Sequence, residues 1–312
     1  MGQPMRILVT GASGFVGSHL IRELRAAGHL VVGLGSTVPE PATSALLEDF
    51  VSVDLADHWP TLPDADGIVH LAALSAVGPS FDDPQRYLST NTAMVTHLGE
   101  YLLAASSPAR VLLVSSGAVY DPRQPLPIGE SGKLAFTSPY ALSKVATEHQ
   151  AAYYTSRGLP FVVVRPFNHI GPGQRPGFLV PDLYGQVRAS QASGEPMTVG
   201  DLETERDYTD VRDVVHAYRL LLESDDATGG TFNICSGQAL SGRVLLRELT
   251  KAMGVGDVAV EVDPRRLRPG DPRRIVGDAS AVERAVGWRP KFSVGQTVRD
   301  FVATEAAHTS SG

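Results

Sequence analysis

The chain has 312 residues, 43% of them hydrophobic, enough for one large core or two modest ones. Its formal net charge of −7 argues against a general binder of nucleic acid or of anionic membrane surfaces, and no run of 18 apolar residues offers a membrane span. The single cysteine, Cys235, excludes a disulfide framework and a cysteine metal site, so it is expected to be a packed core thiol in a cytoplasmic chain, and no metal is expected.

Met1–Arg6 lacks the apolar core of a signal peptide and runs into a short apolar strand, Arg6–Thr10. Gly11-Ala12-Ser13-Gly14-Phe15-Val16-Gly17 follows, and then a helical run over Ser18–Ala27. Glycines at a strand-to-helix turn let the backbone approach a pyrophosphate, which the free N–H groups of the helix start can bind. The spacing G-x-x-G-x-x-G is weak as a bare pattern among 31 glycines. Strand before and helix after favour dinucleotide binding over a tight structural turn, with Gly11, Ser13, Gly14, Phe15, Val16 and Gly17 as candidates.

His29–Leu34 reads as the second strand. A site for NAD usually ends this strand with an acid for the ribose hydroxyls, but Gly33-Leu34-Gly35-Ser36 carries none, and the next acid is Glu40. A small neutral pocket with Ser36 as donor admits a 2′-phosphate, although Thr37–Asp49 contains no arginine to neutralise it. The expectation is a modest preference for NADP(H), with NAD(H) possible.

Phe50–Leu55 is the third strand, where Asp54 and Leu55 are placed near the adenine; a solvated edge acid is nearly as good a reading of Asp54. Gly67–Ala73 is the fourth, and Leu71, Ala72 and Ala73 leave space for the cofactor. His70 reads as a satisfied core histidine. A helix over Arg86–Ala105 and a fifth strand, Arg110–Val114, continue an alternation that specifies parallel βαβ units.

Ser115-Ser116 stands at the carboxyl end of that fifth strand, where open α/β sheets place their ligands. After a Pro- and Gly-rich loop over Asp121–Thr137, Ser138-Pro139 opens a helix to about Arg157, because proline suits a first turn. Tyr140 and Lys144 then share one face. A phenol with an ordinary pKa of about 10 cannot trade protons near neutrality. An ammonium one turn away is expected to lower that value. The pair alone is common by chance on helices; with Ser116 it forms the catalytic candidate set.

Leu159–Arg165 is a sixth strand, and Pro166–Gln174 is too dense in turn formers for a regular element. The expected division places a dinucleotide-binding domain at 1–165 and a mainly substrate-binding domain at 166–312, with segments near 210–235 returning to the first. In the last third, helices are predicted over Phe178–Ala192, Asp210–Leu222, Leu240–Met253, Ala281–Val286 and Val294–Ala306. Strands are predicted at Met197–Val199, Thr231–Cys235 and Val258–Val262. Arg265, Arg266, Arg268, Arg273 and Arg274 are expected to turn one or two guanidinium groups inward on a diphosphate. The fold class is α/β: a Rossmann-type parallel sheet with helices on both faces, and a smaller mixed α/β substrate-binding domain.

Four stretches together resemble the extended short-chain dehydrogenase/reductase superfamily, over nearly the whole chain: Thr10-Gly11-x-x-Gly14-x-x-Gly17, His70-Leu71-Ala72-Ala73, Ser115-Ser116-Gly117-Ala118-Val119-Tyr120 and Tyr140-x-x-x-Lys144. The resemblance implies an enzyme modifying nucleotide-diphosphate sugars. It implies Tyr140 as general acid/base, Lys144 on the nicotinamide ribose, Ser116 on the reacting sugar oxygen and Asn91 beside the nicotinamide half. It also implies a homodimer pairing the helices near Arg86–Ala105 and Tyr140–Arg157.

Arg165-Pro166-Phe167-Asn168-His169-Ile170-Gly171-Pro172-Gly173-Gln174, Arg206–Asp213, Asn233–Gly237 and Leu267–Asp271 resemble the group reducing GDP-4-keto-6-deoxy-D-mannose. That likeness implies sugar-nucleotide contacts from Asn168, Phe178, Arg206, Arg268 and Asp271. The stretch Leu71–Gly78, with Ser75, is closer to UDP-sugar 4-epimerases. Reduction of a C4 ketone is therefore the leading expectation and 4-epimerisation with tightly bound NAD the alternative. Gly117-Ala118 can neither give nor take a proton, which excludes the 4,6-dehydratase route and the C3/C5 epimerising route of GDP-fucose synthases.

Overall fold

The computed structural model describes residues 3–267 and 270–310. Apolar strands of four to six residues build its main sheet: β1 (Arg6–Thr10), β2 (Leu30–Gly35), β3 (Asp49–Ser52), β4 (Gly67–His70), β5 (Arg110–Val114) and β6 (Phe161–Pro166). A seventh strand, β10 (Thr231–Ile234), joins them after β7 (Asn168–Ile170), β8 (Met197–Val199) and β9 (Glu205–Asp210) have formed elsewhere. The sheet order is β10-β6-β5-β4-β1-β2-β3, and every pairing is parallel. The order reverses between β1 and β4, which opens a crevice beyond Thr10 and His70.

Helices cover both faces because the strands are apolar on both sides. On one face lie α1 (Phe15–Ala26) and, later in the chain, a helix over Val211–Glu223. Leu20, Ile21 and Leu24 pack there with Val214, Ala217, Tyr218 and Leu221. Two single turns, α2 (Pro41–Ser44) and α3 (Val77–Ser80), precede the long α4 (Pro84–Ala104) and α5 (Pro139–Ser156), which cover the other face. Asp83 caps α4 by accepting from the Arg86 N–H, and Ser138 caps α5 by accepting from that of Ala141. α4 and α5 run side by side in the same direction: Asn91 meets Ser143, Gln150 meets Thr96 and Tyr154 meets Glu100.

The smaller part has a four-stranded mixed sheet in which β7 and β13 (Arg274–Ile275) run parallel to β9 and β11 (Ala239–Ser241) runs antiparallel to it. A two-stranded ladder joins β8 to β12 (Val260–Val262). The helices α6 (Leu179–Ser193), α7 (Val211–Glu223), α8 (Gly242–Ala252), α9 (Ser280–Val286) and α10 (Val294–Ser310) complete the chain. Val180, Leu183, Val187, Leu245, Leu249 and Phe301 form the separate core of this part. Cys235 is fully buried, as expected.

Two expectations for this region are corrected. Asn168–Ile170 is a strand despite its turn-forming neighbours, because β9 offers its open edge to it. Of the arginine cluster, the four described members do not turn inward. Their exposed side chains bond to Asp263, Thr198, Asp201 and Glu205. The paired acids supply a nearer partner than a diphosphate would. Arg268 lies outside the described residues. Among those residues, no helix is long and apolar enough to cross a membrane, and no group of three or more His, Cys, Asp or Glu side chains could hold a metal ion.

Candidate active site

The glycine-rich turn folds against the ends of β1, β2 and β4. Gly11 has φ 68°, and its N–H and that of Ala12 donate to the Leu34 carbonyl. Thr10 Oγ1 accepts from the Ala72 N–H and bonds His70 Nδ1, tying the ends of β1 and β4 together. A Cβ on Gly17 would stand 2.3 Å from the Gly11 carbonyl oxygen. The start of α1 has no side-chain cap and no acid in its first turn. Its unpaired N–H groups, facing a loop free of side-chain bulk, suit the diphosphate of a dinucleotide. Ser13, Phe15 and Val16 are half-buried around this cradle and Gly14 is exposed. His70 is a core group: it is buried, bonded to Thr10, and pushed down to about 3 by desolvation.

At the end of β2 the structure removes part of the argument for a 2′-phosphate. Gly33 is small because Leu47, Ala12 and Phe50 crowd its Cα, not because a ligand needs the space. Ser36 is exposed, and Arg6 is held by Glu48. Asp54 is exposed and accepts from the Ala56 N–H, whereas Leu55 is buried in the core.

Ser116, Tyr140 and Lys144 converge beyond the end of β5. The Ser116 hydroxyl stands beside the Tyr140 phenol. Burial holds the phenol above its ordinary value while the neighbouring hydroxyl pulls it down. The lowering expected from Lys144 does not prevail in the free protein: the ammonium donates to the Val114 carbonyl at 2.8 Å, and burial sets the direction of the Tyr140 shift. Burial pushes Lys144 itself down to about 8, against the opposing pull of Glu148. A deprotonated lysine cannot stabilise a phenolate by charge, so what keeps Lys144 charged matters to this site.

Asn91 has its side chain fully engaged by protein. Its Oδ1 accepts from the Leu74 N–H, and its Nδ2 donates to the Leu74 carbonyl and to Ser143 Oγ. It therefore clamps the loop after β4, with Ala73, Leu74 and exposed Ser75, onto α5. Across the cleft, Asn168 stands opposite Tyr208 in the β7–β9 ladder, and burial pushes the Tyr208 phenol up to about 12. Arg206 donates to Asp271 at 2.7 Å and to the carbonyls of Glu205 and Pro272. Phe178 is 48% exposed, leaving its ring open to a ligand.

A buried network beneath the site has no counterpart among the expected residues. Arg165 donates to Glu148 from Nε at 2.9 Å and from Nη2 at 2.6 Å, and to the Tyr120 hydroxyl at 2.9 Å. Tyr120 in turn donates to Asn233 Oδ1. The available signal was an arginine closing the apolar run Phe161–Val164 and an acid one turn beyond Lys144.

A glycine-rich turn at the switch point of a parallel sheet, with Ser116, Tyr140 and Lys144 near the end of β5, suits a dinucleotide-dependent enzyme of the short-chain dehydrogenase/reductase type. The chain belongs to the NAD dependent epimerase/dehydratase family, whose model matches residues 7–235. It is an NAD(P)-dependent enzyme of the oxidoreductase and epimerase type. It is 37% identical to a GDP-6-deoxy-D-mannose reductase of Pseudomonas aeruginosa, over 94% of this chain and 95% of that one. It is 31% identical to a UDP-glucose 4-epimerase of Lacticaseibacillus casei, over 92% of each. A solved structure of RMD from Pseudomonas aeruginosa with NADPH superimposes at a TM-score of 0.82, with 33% identity, over 97% of this chain and 99% of that one.

The comparisons correct the NADP(H) preference. Four other solved structures, 25–28% identical and with TM-scores of 0.84–0.85, contain NAD. The physical reason is the one visible at β2: the supposed room at Gly33 is filled by the protein's own side chains, and the Arg6 guanidinium is held by Glu48.

Proposed function

We propose that the chain is a 4-epimerase of a nucleotide-diphosphate hexose, working with NAD held in the Gly11–Gly17 cradle. The observation that carries this reading is the convergence of Ser116, Tyr140 and Lys144 with no further proton-transfer group at Gly117-Ala118. Such a set can move a proton at one sugar oxygen and at no neighbouring carbon. Bound NAD would supply reversible hydride exchange. Ionised beside the Lys144 ammonium once the ligands are bound, Tyr140 takes the proton from the C4 hydroxyl and later returns it, and Ser116 donates a hydrogen bond to the oxygen that carries the developing charge. Leu71, Ala72, Ala73 and Asn91 shape the floor of the site. Arg206 and Asp271 bind the nucleotide end, with Asn168 and Phe178 nearer the sugar and Ser75 at the rim. Residues 1–165, with segments near 210–235, form the cofactor half, and the rest of 166–312 forms the substrate half. UDP-glucose 4-epimerases at 27–33% identity support this reading.

A second reading, reduction of a nucleotide-linked 4-keto-6-deoxyhexose, is favoured by the 37% identical reductase. One assay separates them. An epimerase should retain NAD through gel filtration and interconvert C4 epimers with no net change in reduced nicotinamide. Stoichiometric NADH consumption with a 4-keto sugar, without epimer exchange, selects the reductase. Inertness toward both substrate types sinks both readings.

We also propose a homodimer through α4 and α5. Ala141 and Val145 are spent on the chain's own interior, but Leu142 (38%) and Tyr153 (50%) stay exposed on the outer surface of α5. Sedimentation should show a dimer, and a monomer at every concentration would refute the pairing.

A further inference from the structure

Helix α5 holds three successive residues at the end of β5. The Ser116 hydroxyl stands beside Tyr140, the Ser115 hydroxyl donates to Glu148, and the Val114 carbonyl accepts from Lys144. Tyr140, Lys144 and Glu148 are spaced four apart and so form one stripe down the helix. The Glu148 side chain is only 10% exposed, and the Arg165 guanidinium grips both of its oxygens. A buried carboxylate this well paired is rigid.

We infer that Glu148 is a positioning residue of the active site: it keeps the buried Lys144 ammonium charged and holds Ser115, and with it Ser116, in place for Tyr140. The inference rests on the roles proposed above for Tyr140 and Lys144. Lys144 lies under a desolvation load that favours the neutral amine, and Glu148 opposes it. The other groups facing this ammonium do not. His70 on β4 is neutral at any working pH, since desolvation pushes it to about 3. The Tyr140 phenol on α5 is held above its ordinary value, hence uncharged in the free enzyme. Tyr87, reaching Tyr140 from α4, is likewise an uncharged phenol with its value raised. Arg165 on β6 bonds Glu148 and Tyr120, and its positive charge cannot favour a second cation.

The chain has four lysines, Lys133, Lys144, Lys251 and Lys291, so lysine-selective carbon-13 NMR can follow Lys144 directly, assigned by its absence in Lys144→Arg. In Glu148→Gln the Lys144 titration midpoint should fall by about one pH unit or more, the size expected for removing a charge one helical turn away. The alkaline limb of kcat should fall with it, toward lower pH. An unmoved midpoint in folded Glu148→Gln overturns the inference, since a merely structural role would change stability and leave the titration alone. Should the glutamine variant fail to fold, Glu148→Asp carries the test. Its carboxylate, drawn back by one methylene, should lower the midpoint by a few tenths of a unit, and no shift overturns the assignment. The NMR readout needs no sugar substrate, so an enzyme inert toward nucleotide sugars would refute the proposed reaction without touching this result.

Discussion

Tyr140→Phe should lower kcat by about 10²–10⁴-fold, the usual contribution of a positioned general acid/base. The substitution removes one oxygen from a site whose remaining contacts persist. Ser116 Oγ still accepts from the Ala118 N–H, Lys144 still donates to Val114, and Ser138 still caps α5. Cofactor affinity and the KM for the nucleotide sugar should therefore change by less than about threefold, because an interaction made only in the transition state is read in kcat. Steady-state kinetics and calorimetric titration of NAD measure the two halves of this expectation. Turnover within a few-fold of the parent enzyme would mean that the proton leaves by another group. Parallel losses in affinity and turnover would mean that the phenol supports the fold of the cleft instead.

Gly17→Ala should weaken dinucleotide binding by up to about 100-fold. The added Cβ would lie 2.3 Å from the Gly11 carbonyl oxygen and 2.9 Å from that of Ala12. Neither atom belongs to a side chain that can rotate away. Both belong to the turn pinned by the Gly11 and Ala12 N–H bonds to Leu34. Overpacking of this kind costs about 1–3 kcal/mol, and a rigid backbone neighbour places the cost at the upper end. If the turn moves to relieve the clash, about 3 kcal/mol of the strain is lost from cofactor binding at about 1.4 kcal/mol per tenfold. Fluorescence titration with NADH tests this, with thermal unfolding of the cofactor-free protein as the companion measurement. Unchanged affinity would show that the start of α1 shifts as a body without disturbing the cradle.

These two residues were visible without coordinates for a common reason. Each belongs to a pattern whose physical cause is local: glycines at a strand-to-helix turn, and side chains four apart on a helix opened by Ser138-Pro139. The apolar runs of β1, β2, β4, β5 and β6 carried the same kind of information, because strands covered on both faces need apolar residues throughout. The strand β9 did not. Its sequence, Glu205-Arg206-Asp207-Tyr208-Thr209-Asp210, reads as a polar surface segment, yet its last four residues are buried. Asp207 is satisfied by the N–H groups of Ser236, Gly237 and Gly277, and Asp210 by Arg212 and Thr297. Apart from Arg212, these partners lie so far away in sequence that they leave no periodic trace.

The sequence by itself determined the alternating βα order, the glycine-rich turn between β1 and α1 and the helix that carries Tyr140 and Lys144, since each follows from short-range spacing and from how many faces of an element are apolar. Tertiary structure alone decided the uses of four kinds of residue that look interchangeable in one dimension. Gly33 is small for Leu47 and Phe50 rather than for a phosphate, and the described arginines near position 270 answer nearby acids and a carbonyl rather than a ligand. Asn91 ties the loop after β4 to α5, and Glu148 joins Arg165 beneath Ser115. The physical reason is the reach of the forces involved. Steric crowding and charge pairing act over a few ångströms in space, whatever the separation along the chain: two positions for Arg265 and Asp263, 17 for Glu148 and Arg165.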